Sequence, residues 1–159
     1  MAETLLSFML KDQTYALRLE CVVRVIRAAY ITALPKSPPV VLGIINIAGS
    51  IVPVLNIRAR FGLSAKKVSA SDLFIIAKTR GQTVALLVDQ IGSVARYTEE
   101  QIVLGEKLPG RFEYIEGVVK LGKEMILIHD LDSFLSSNER EGIQKALSDY
   151  AENGCEDGM

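Results

Sequence analysis

The chain has 159 residues, of which 49% are apolar and 23% charged, and its formal net charge is −1 at pH 7. This composition is typical of a soluble globular domain, and the balance of 18 basic and 19 acidic residues creates no overall field that would attract nucleic acid or an anionic membrane. Such partners would need a local charged patch, and none is evident.

Short apolar blocks rich in Val, Ile and Leu, separated by Gly, Pro, Asn, Asp or Lys, predict a protein of many β-strands. Between the strands, a helical turn is expected at Glu20 and a short helix within 56–62. Three prolines exclude strand pairing over 34–39, and residues 99–112 are predicted to be irregular. In chain order, the predicted strands occupy residues 5–10, 14–19, 22–28, 40–47, 51–55, 73–77, 83–88, 91–97, 115–121 and 125–128.

The C-terminal segment changes to a helical period. Asn138 is the predicted N-cap, with Glu141 three residues later, and Asn153-Gly154 is the predicted end of the helix. We therefore expect one domain over residues 1–153 and a disordered tail over 154–159. The apolar residues that form the predicted buried stripe are Ile143, Ala146, Leu147, Tyr150 and Ala151.

The sequence contains few groups that suggest chemistry. His129 lies beside Asp130, but no nucleophile elbow accompanies them, so we predict no catalytic residues and keep a small hydrolase as a remote alternative. Asp130 and Asp132 fit a turn or helix cap better than a Mg²⁺ site, and no motif predicts a metal or a cofactor. Arg60 is a candidate either for partner contact or for a solvated helix face.

Compartment and membrane association are also predicted from the chain. The two cysteines show no metal-binding or redox spacing, and no secretory leader is recognisable. No segment approaches the ~20 apolar residues of a membrane span. We therefore expect a cytoplasmic protein.

One segment carries a specific resemblance. Residues 43–63 read GIINIAGSIVPVLNIRARFGL, which resembles the signature of the CheW family of chemotaxis coupling proteins. Further segments on both sides of it match the family's order and spacing, so the resemblance covers residues 5–135. The resemblance implies two packed five-stranded SH3-like β-barrels, with a small apolar core between them and a C-terminal helix. It also implies a non-enzymatic adaptor that joins the regulatory domain of a CheA-type histidine autokinase to the cytoplasmic tips of methyl-accepting chemoreceptors, and so meets the membrane only through receptors.

The resemblance also implies which residues face the partners. Gly43 is expected to allow a close backbone approach, while Pro53 and Arg58 have either a structural or a contact role. The residues implied for the kinase-facing surface are Val23, Val25, Ile26 and Gly43. Those implied for receptor contact, with the last two lining a groove, are Asn46, Ala48, Gly49, Ser50, Leu87 and Val88.

The chain departs from the family pattern at four positions. Ala48 replaces the usual arginine of N-L-R-G, Val25 stands where an acidic residue is common, and Asn56 stands where aspartate is common. His129 replaces an aliphatic residue, and we have no functional account of it. These departures keep two alternatives open, a divergent paralogue for unusual receptors and a decoy that binds kinase but not receptor. A small-ligand sensor using the groove is a third.

Overall fold

The part of the chain that the structure describes contains eleven strands in two sheets. The structure is a computed structural model that describes residues 2–64, 66–105 and 114–157, the last five by their backbone alone. Its helices are α1 (Ile57–Arg60), α2 (Leu131–Phe134) and α3 (Ser137–Asp157). The strands are β1 (Ala2–Leu10), β2 (Gln13–Arg18), β3 (Val22–Arg27), β4 (Val41–Ile47), β5 (Ser50–Leu55), β6 (Leu73–Thr79), β7 (Gln82–Val88), β8 (Gln90–Thr98), β9 (Ile102–Leu104), β10 (Ile115–Leu121) and β11 (Glu124–His129).

The ten predicted strands are all present, and the mainly β prediction is confirmed. The stretch predicted to be irregular contains a 3₁₀ turn over Glu99–Gln101 and the short strand β9, while its residues 106–112 lie outside the described part of the chain. Because β9 adds a strand, the sheets have six and five strands and not five each. Three residues are too few to show a clear alternation of apolar and polar side chains, so β9 could not be predicted from its residues.

The two sheets divide the chain unequally. The six-stranded sheet has the order β8, β1, β2, β11, β10, β9, so it joins both ends of the chain, with β2 parallel to β11. The five-stranded sheet has the order β3, β6, β7, β5, β4 and comes wholly from the middle of the chain. One sheet is therefore closed by residues more than a hundred positions apart, such as Thr14 and Ile126.

The largest apolar cluster lies at the seam between the sheets and not inside either one. Successive residues of β6 show why: Ile75 packs into the seam cluster, whereas Phe74 packs into the separate core of the five-stranded sheet. Neighbouring side chains of a strand point to opposite faces, so a strand buried on both faces contributes side chains to two cores. The seam was expected to be small, but it takes residues from both sheets and from α2 and α3.

The short helices have side-chain caps. The side chain of Asn56 accepts a hydrogen bond from the amide of Ala59 at 3.3 Å, which confirms the predicted cap of α1. Asp130 caps α2 in the same way through the amide of Ser133, although α2 itself was not predicted. Its four residues follow a strand directly and are too few to display a helical period.

The C-terminal helix begins earlier and ends later than predicted. Its capping box is formed by Ser136 and Glu139 and not by the predicted Asn138 and Glu141. The side chain of Glu139 accepts a hydrogen bond from the amide of Ser136 at 2.9 Å, and the hydroxyl of Ser136 accepts one from the amide of Glu139 at 3.1 Å. The helical backbone continues through 153–154 to Asp157. Four of the five stripe residues pack on the seam cluster as predicted, whereas Ala151 is exposed.

Arg60 attaches α3 to the rest of the molecule. Its guanidinium donates to the carbonyl of Phe134 at 2.6 Å and to the hydroxyl of Tyr114 at 3.1 Å, and it pairs with the carboxylate of Glu139. The same group lies 5.2 Å from the centroids of both aromatic rings. Arg60 is thus an internal structural residue and not a partner contact.

Candidate partner-binding surface

Strand β3 presents an exposed apolar edge. Val23 is 50% exposed and Val25 is 37% exposed, while Ile26 is half-buried against the core of the five-stranded sheet. The strand lies at one end of its sheet and pairs with β6, and no second strand of the described chain flanks it. An exposed apolar strand with free backbone groups is suited to pairing with a strand of another protein.

Gly43 lies in β4 at a point where two backbones touch. A Cβ added there would lie 2.4 Å from the carbonyl oxygen of Thr32 and 2.5 Å from Cγ2 of Ile31. Thr32 and Ile44 exchange backbone hydrogen bonds of 2.7 and 2.9 Å across this contact. The expected close approach is confirmed, but Gly43 is buried beneath it, so the residue supports a surface and does not itself offer one to a kinase.

The β4–β5 connection is a tight two-residue turn. Ala48 and Gly49 both have positive φ, 49° and 88°, between the paired residues Ile47 and Ser50, as in a type I′ turn. The side-chain oxygen of Asn46 accepts the amide of Gly49 at 2.9 Å. The turn therefore holds Ala48, Gly49 and Ser50 exposed at the tip, while the Asn46 oxygen is used to fix their backbone.

Replacing Ala48 by asparagine is expected to stabilise the protein by about 0.5–1 kcal/mol, because asparagine tolerates the left-handed conformation better than alanine. Ala48→Val is the opposing control, since a β-branched side chain is strained there. Urea unfolding of the three proteins measures the effect. The turn geometry would be contradicted if the valine variant were as stable as the asparagine variant.

A groove of about 500 Å³ brings the two predicted surfaces together. Val23 and Arg24 of β3 line it, as do Ala48, Ser50 and Ile51 of the β4–β5 hairpin. Leu147 of α3 forms part of the opposite wall. The strand expected to face a kinase and the hairpin expected to face a receptor are thus neighbours in the fold. Two residues that line the groove, Ile51 and Leu147, were not predicted as site residues. Leu147 could not be, because nothing local in the sequence indicates that α3 reaches this sheet.

Leu87 and Val88 do not line this groove. Val88 is fully buried in the seam cluster, so its assignment to a receptor-binding surface is corrected to a core position. Leu87 is 8% exposed and backs a separate recess of about 50 Å³, which Leu42 and Arg58 also line. Both residues follow the alternation of β7, whose two faces are buried in two different cores.

Arg58 has an internal partner. Its Nη1 donates to both carboxylate oxygens of Asp89, at 3.1 and 3.2 Å. Burial would raise the pKa of Asp89, but the amide of Lys11 and the charges of Lys66 and Arg58 hold that pKa below its ordinary value. Because Lys11 belongs to the β1–β2 turn and Arg58 to α1, Asp89 joins the two sheets. The structural role of Arg58 is therefore favoured over direct contact.

His129 is enclosed by aromatic rings. The side chain is 2% exposed and meets the edges of Phe61 and Phe134 at centroid distances of 5.2 and 5.0 Å. Neither ring nitrogen has a hydrogen-bond partner in the described part of the chain, and burial lowers the pKa of His129 to about 3. Asp130 caps α2 and does not orient the imidazole. The hydrolase alternative is therefore wrong, because substrate cannot reach His129.

The described residues also bear on metal binding and membrane insertion. They contain no group of three or more His, Cys, Asp or Glu side chains placed to hold a metal ion. None of the helices there is long and apolar enough to cross a membrane. Pro53, whose role was left open between structure and contact, is buried and is one of the residues that line the groove.

Sequence and structure comparisons all find similarity to CheW proteins. The family model described as CheW-like domain matches residues 4–139. The chain is 32% identical to the chemotaxis protein CheW of Thermotoga maritima over 139 residues, covering 87% of this chain and 91% of that protein. It is 29% identical to a probable chemotaxis protein CheW of Rhizobium etli, covering 86% and 90%. The crystal structure of the scaffolding protein TtCheW from Thermoanaerobacter tengcongensis superposes with a TM-score of 0.78 at 29% identity, covering 87% and 96%.

Proposed function

The chain belongs to the CheW-like family, and on this premise we propose that it is a non-enzymatic adaptor that couples a CheA-type histidine autokinase to the cytoplasmic tips of chemoreceptors. The observation that carries the proposal is the groove shared by the β3 edge and the β4–β5 hairpin. An adaptor needs two exposed surfaces close enough for one partner to sense the other, and this groove has one on each side. The protein works in the cytoplasm and meets the membrane only through receptors.

The two sides of the groove are suited to different partners. The β3 edge offers free backbone groups and two exposed valines, Val23 and Val25, which suit an extended strand of the kinase regulatory domain. The hairpin tip at Ala48 and Ser50 is a convex turn, which suits the side of a receptor helix. Because Val23 and Ser50 line the same groove, a partner on one side borders the space used by the other.

Replacing Val23 by aspartate is expected to weaken binding of the kinase regulatory domain by at least about tenfold, since the interface would then bury an unpaired carboxylate. Titration calorimetry with the regulatory domain from the same genome measures this. The matched control is Val94→Asp: Val94 is 55% exposed on β8, in the other sheet. Equal weakening by both variants, or no wild-type binding at about tens of micromolar, would contradict the proposal.

A decoy that binds kinase but not receptor is the second candidate, and Ala48 is the observation that favours it. The hairpin tip carries no charged side chain, so it lacks the charge-assisted contact that an arginine would make there. Receptor-bearing vesicles separate the two candidates. Stimulation of kinase autophosphorylation by vesicles only when the protein is added supports the adaptor, whereas kinase binding without stimulation supports the decoy.

A further inference from the structure

The charges of the chain are segregated although their sum is near zero. Residues 21–71 contain seven Lys or Arg and no Asp or Glu, in a protein with 18 basic and 19 acidic residues in all. The rest of the chain is correspondingly acidic. The sequence therefore has a local basic stretch where the overall composition gave no sign of one. The basic stretch spans β3, β4 and β5, which form most of the groove.

Three of these seven cations are neutralised inside the molecule. Arg58 pairs with Asp89, Arg60 with Glu139, and Lys66 with the buried carboxylate of Asp72. The other four cations form no ion pair with any residue that the structure describes, and each is exposed; they are Arg24, Arg27, Lys36 and Lys67. The unneutralised charge of the stretch therefore includes two arginines of the partner-facing strand itself.

On β3 these two arginines lie among the exposed valines. The strand reads Val22-Val23-Arg24-Val25-Ile26-Arg27, and four of these six residues are exposed. Two more exposed cations are close by: Lys78 in β6 and Arg80 in the β6–β7 turn, and β6 pairs directly with β3. Glu20, in the 3₁₀ turn before β3, is the nearest acidic residue along the chain. Burial raises the pKa of Cys21, just before β3, and so do the nearby charges of Asp132, Glu20 and Glu116, so acidic groups lie beside the start of the strand. Further along, the exposed stretch of β3 is apolar at Val23 and Val25 and positive at Arg24 and Arg27.

We propose that the β3 edge binds an acidic strand of its partner, with carboxylates opposite Arg24 and Arg27 and apolar side chains opposite Val23 and Val25. This inference rests on the proposed function and specifies the chemistry of the kinase surface. Complementary charges fix register and reject wrong partners more than they add affinity. Since Val25 stands where an acidic residue is common in the family, a kinase surface matched to that acid would be poorly matched to this strand.

The mixture of apolar and basic side chains on β3 favours a protein strand over a polyanion as the partner. Two exposed valines lie between and beside the arginines of one extended strand, and one edge of its backbone is unpaired in the described chain. A phosphate backbone or an anionic lipid surface would bind a cluster of cations and would leave those valines and backbone groups without partners. A partner strand satisfies the valines, the arginines and the backbone together.

The test is a salt titration with a charge-matched control. Arg24→Glu/Arg27→Glu is compared with Lys120→Glu/Lys123→Glu, which makes the same change of net charge at exposed positions of β10 and the β10–β11 turn. Binding of the kinase regulatory domain from the same genome is measured by calorimetry at about 50 mM and about 500 mM salt. The arginine variant is expected to bind at least about tenfold more weakly at low salt, with a smaller difference at high salt, while the control binds as wild type.

The outcomes separate this inference from the function on which it rests. If the arginine variant bound as tightly as wild type while Val23→Asp bound poorly, the acidic-strand inference would fail and the adaptor would stand. If both double variants weakened binding equally, the effect would be one of net charge and the inference would again fail. If wild type bound duplex DNA or phosphatidylserine vesicles but no kinase domain, both proposals would fall.

Discussion

When the pH is lowered from 8 to 5, a His129→Leu variant is expected to lose about 2 kcal/mol less of its free energy of unfolding than the wild-type protein loses. The wild-type imidazole is enclosed by Phe61 and Phe134, and burial lowers its pKa to about 3. In the unfolded chain the same group has a pKa near its ordinary value of about 6.5. Leucine has a similar size and no proton to bind, so the variant should lack this part of the pH dependence.

The sign follows from proton binding in the two states. At pH 5 the unfolded chain carries a proton on His129 and the folded protein does not, so acid favours the unfolded state. The stability linked to His129 is therefore complete above about pH 6.5 and is lost progressively as the pH falls towards 3. Carboxylates also titrate in this range, but they are common to both proteins and cancel in the comparison.

Urea unfolding at several pH values, carried out on both proteins, measures the effect. Any difference in packing between leucine and imidazole shifts the two stability curves by a constant, whereas the proton linkage changes their separation with pH. A separation that stayed constant from pH 8 to pH 5 would show that His129 is able to take up its proton in the folded protein. The enclosed, unpaired position described above would then be incorrect.

Replacing Gly43 by alanine is expected to lower the free energy of unfolding by roughly 3 kcal/mol. The added Cβ would lie 2.4 Å from the carbonyl oxygen of Thr32, and that oxygen belongs to backbone that is already hydrogen-bonded to Ile44. The contact can be relieved only by separating the two backbones. We expect both hydrogen bonds between Thr32 and Ile44 to be lost.

Gly49→Ala is the matched control for Gly43→Ala. Both glycines have a positive φ, 154° at Gly43 and 88° at Gly49. A Cβ added at Gly49 meets nothing within 4 Å, so only about 1 kcal/mol of backbone strain is expected there. Urea unfolding compares the two variants, and amide hydrogen exchange at Thr32 and Ile44 reports the local separation. Equal losses of stability in both variants would mean that the steric contact at Gly43 contributes nothing.

The strands were predictable because their signal is local. The short apolar runs at 73–77 and 83–88, separated by turn residues at 79–82, depend only on neighbouring residues, and β6 and β7 were predicted from them. The caps of α1 and α3 show the limit of such signals. Asn56 was identified correctly, whereas Ser136 was passed over for Asn138, because both residues have capping side chains and an acidic residue three positions later.

The functional surface was only partly predictable. Val23, Val25 and the turn at 48–50 are exposed, as a partner surface requires, but Val88 is in the core and Gly43 is covered by Thr32. A strand sequence does not distinguish a residue that faces a partner from one that faces a second core, since both are apolar. The balanced total charge likewise concealed the basic stretch over 21–71.

From its residues alone, this protein could be recognised as a mainly β chain with a C-terminal helix and a CheW-like signature, because strand alternation, helix period and motif are all properties of neighbouring positions. The fold added what depends on distant positions. Pairing of β2 with β11, a seam cluster larger than either sheet's own core, and a groove shared by Val23, Ser50 and Leu147 each join segments far apart in sequence. Such contacts form only when the whole chain packs, since burial of apolar surface selects which strands meet.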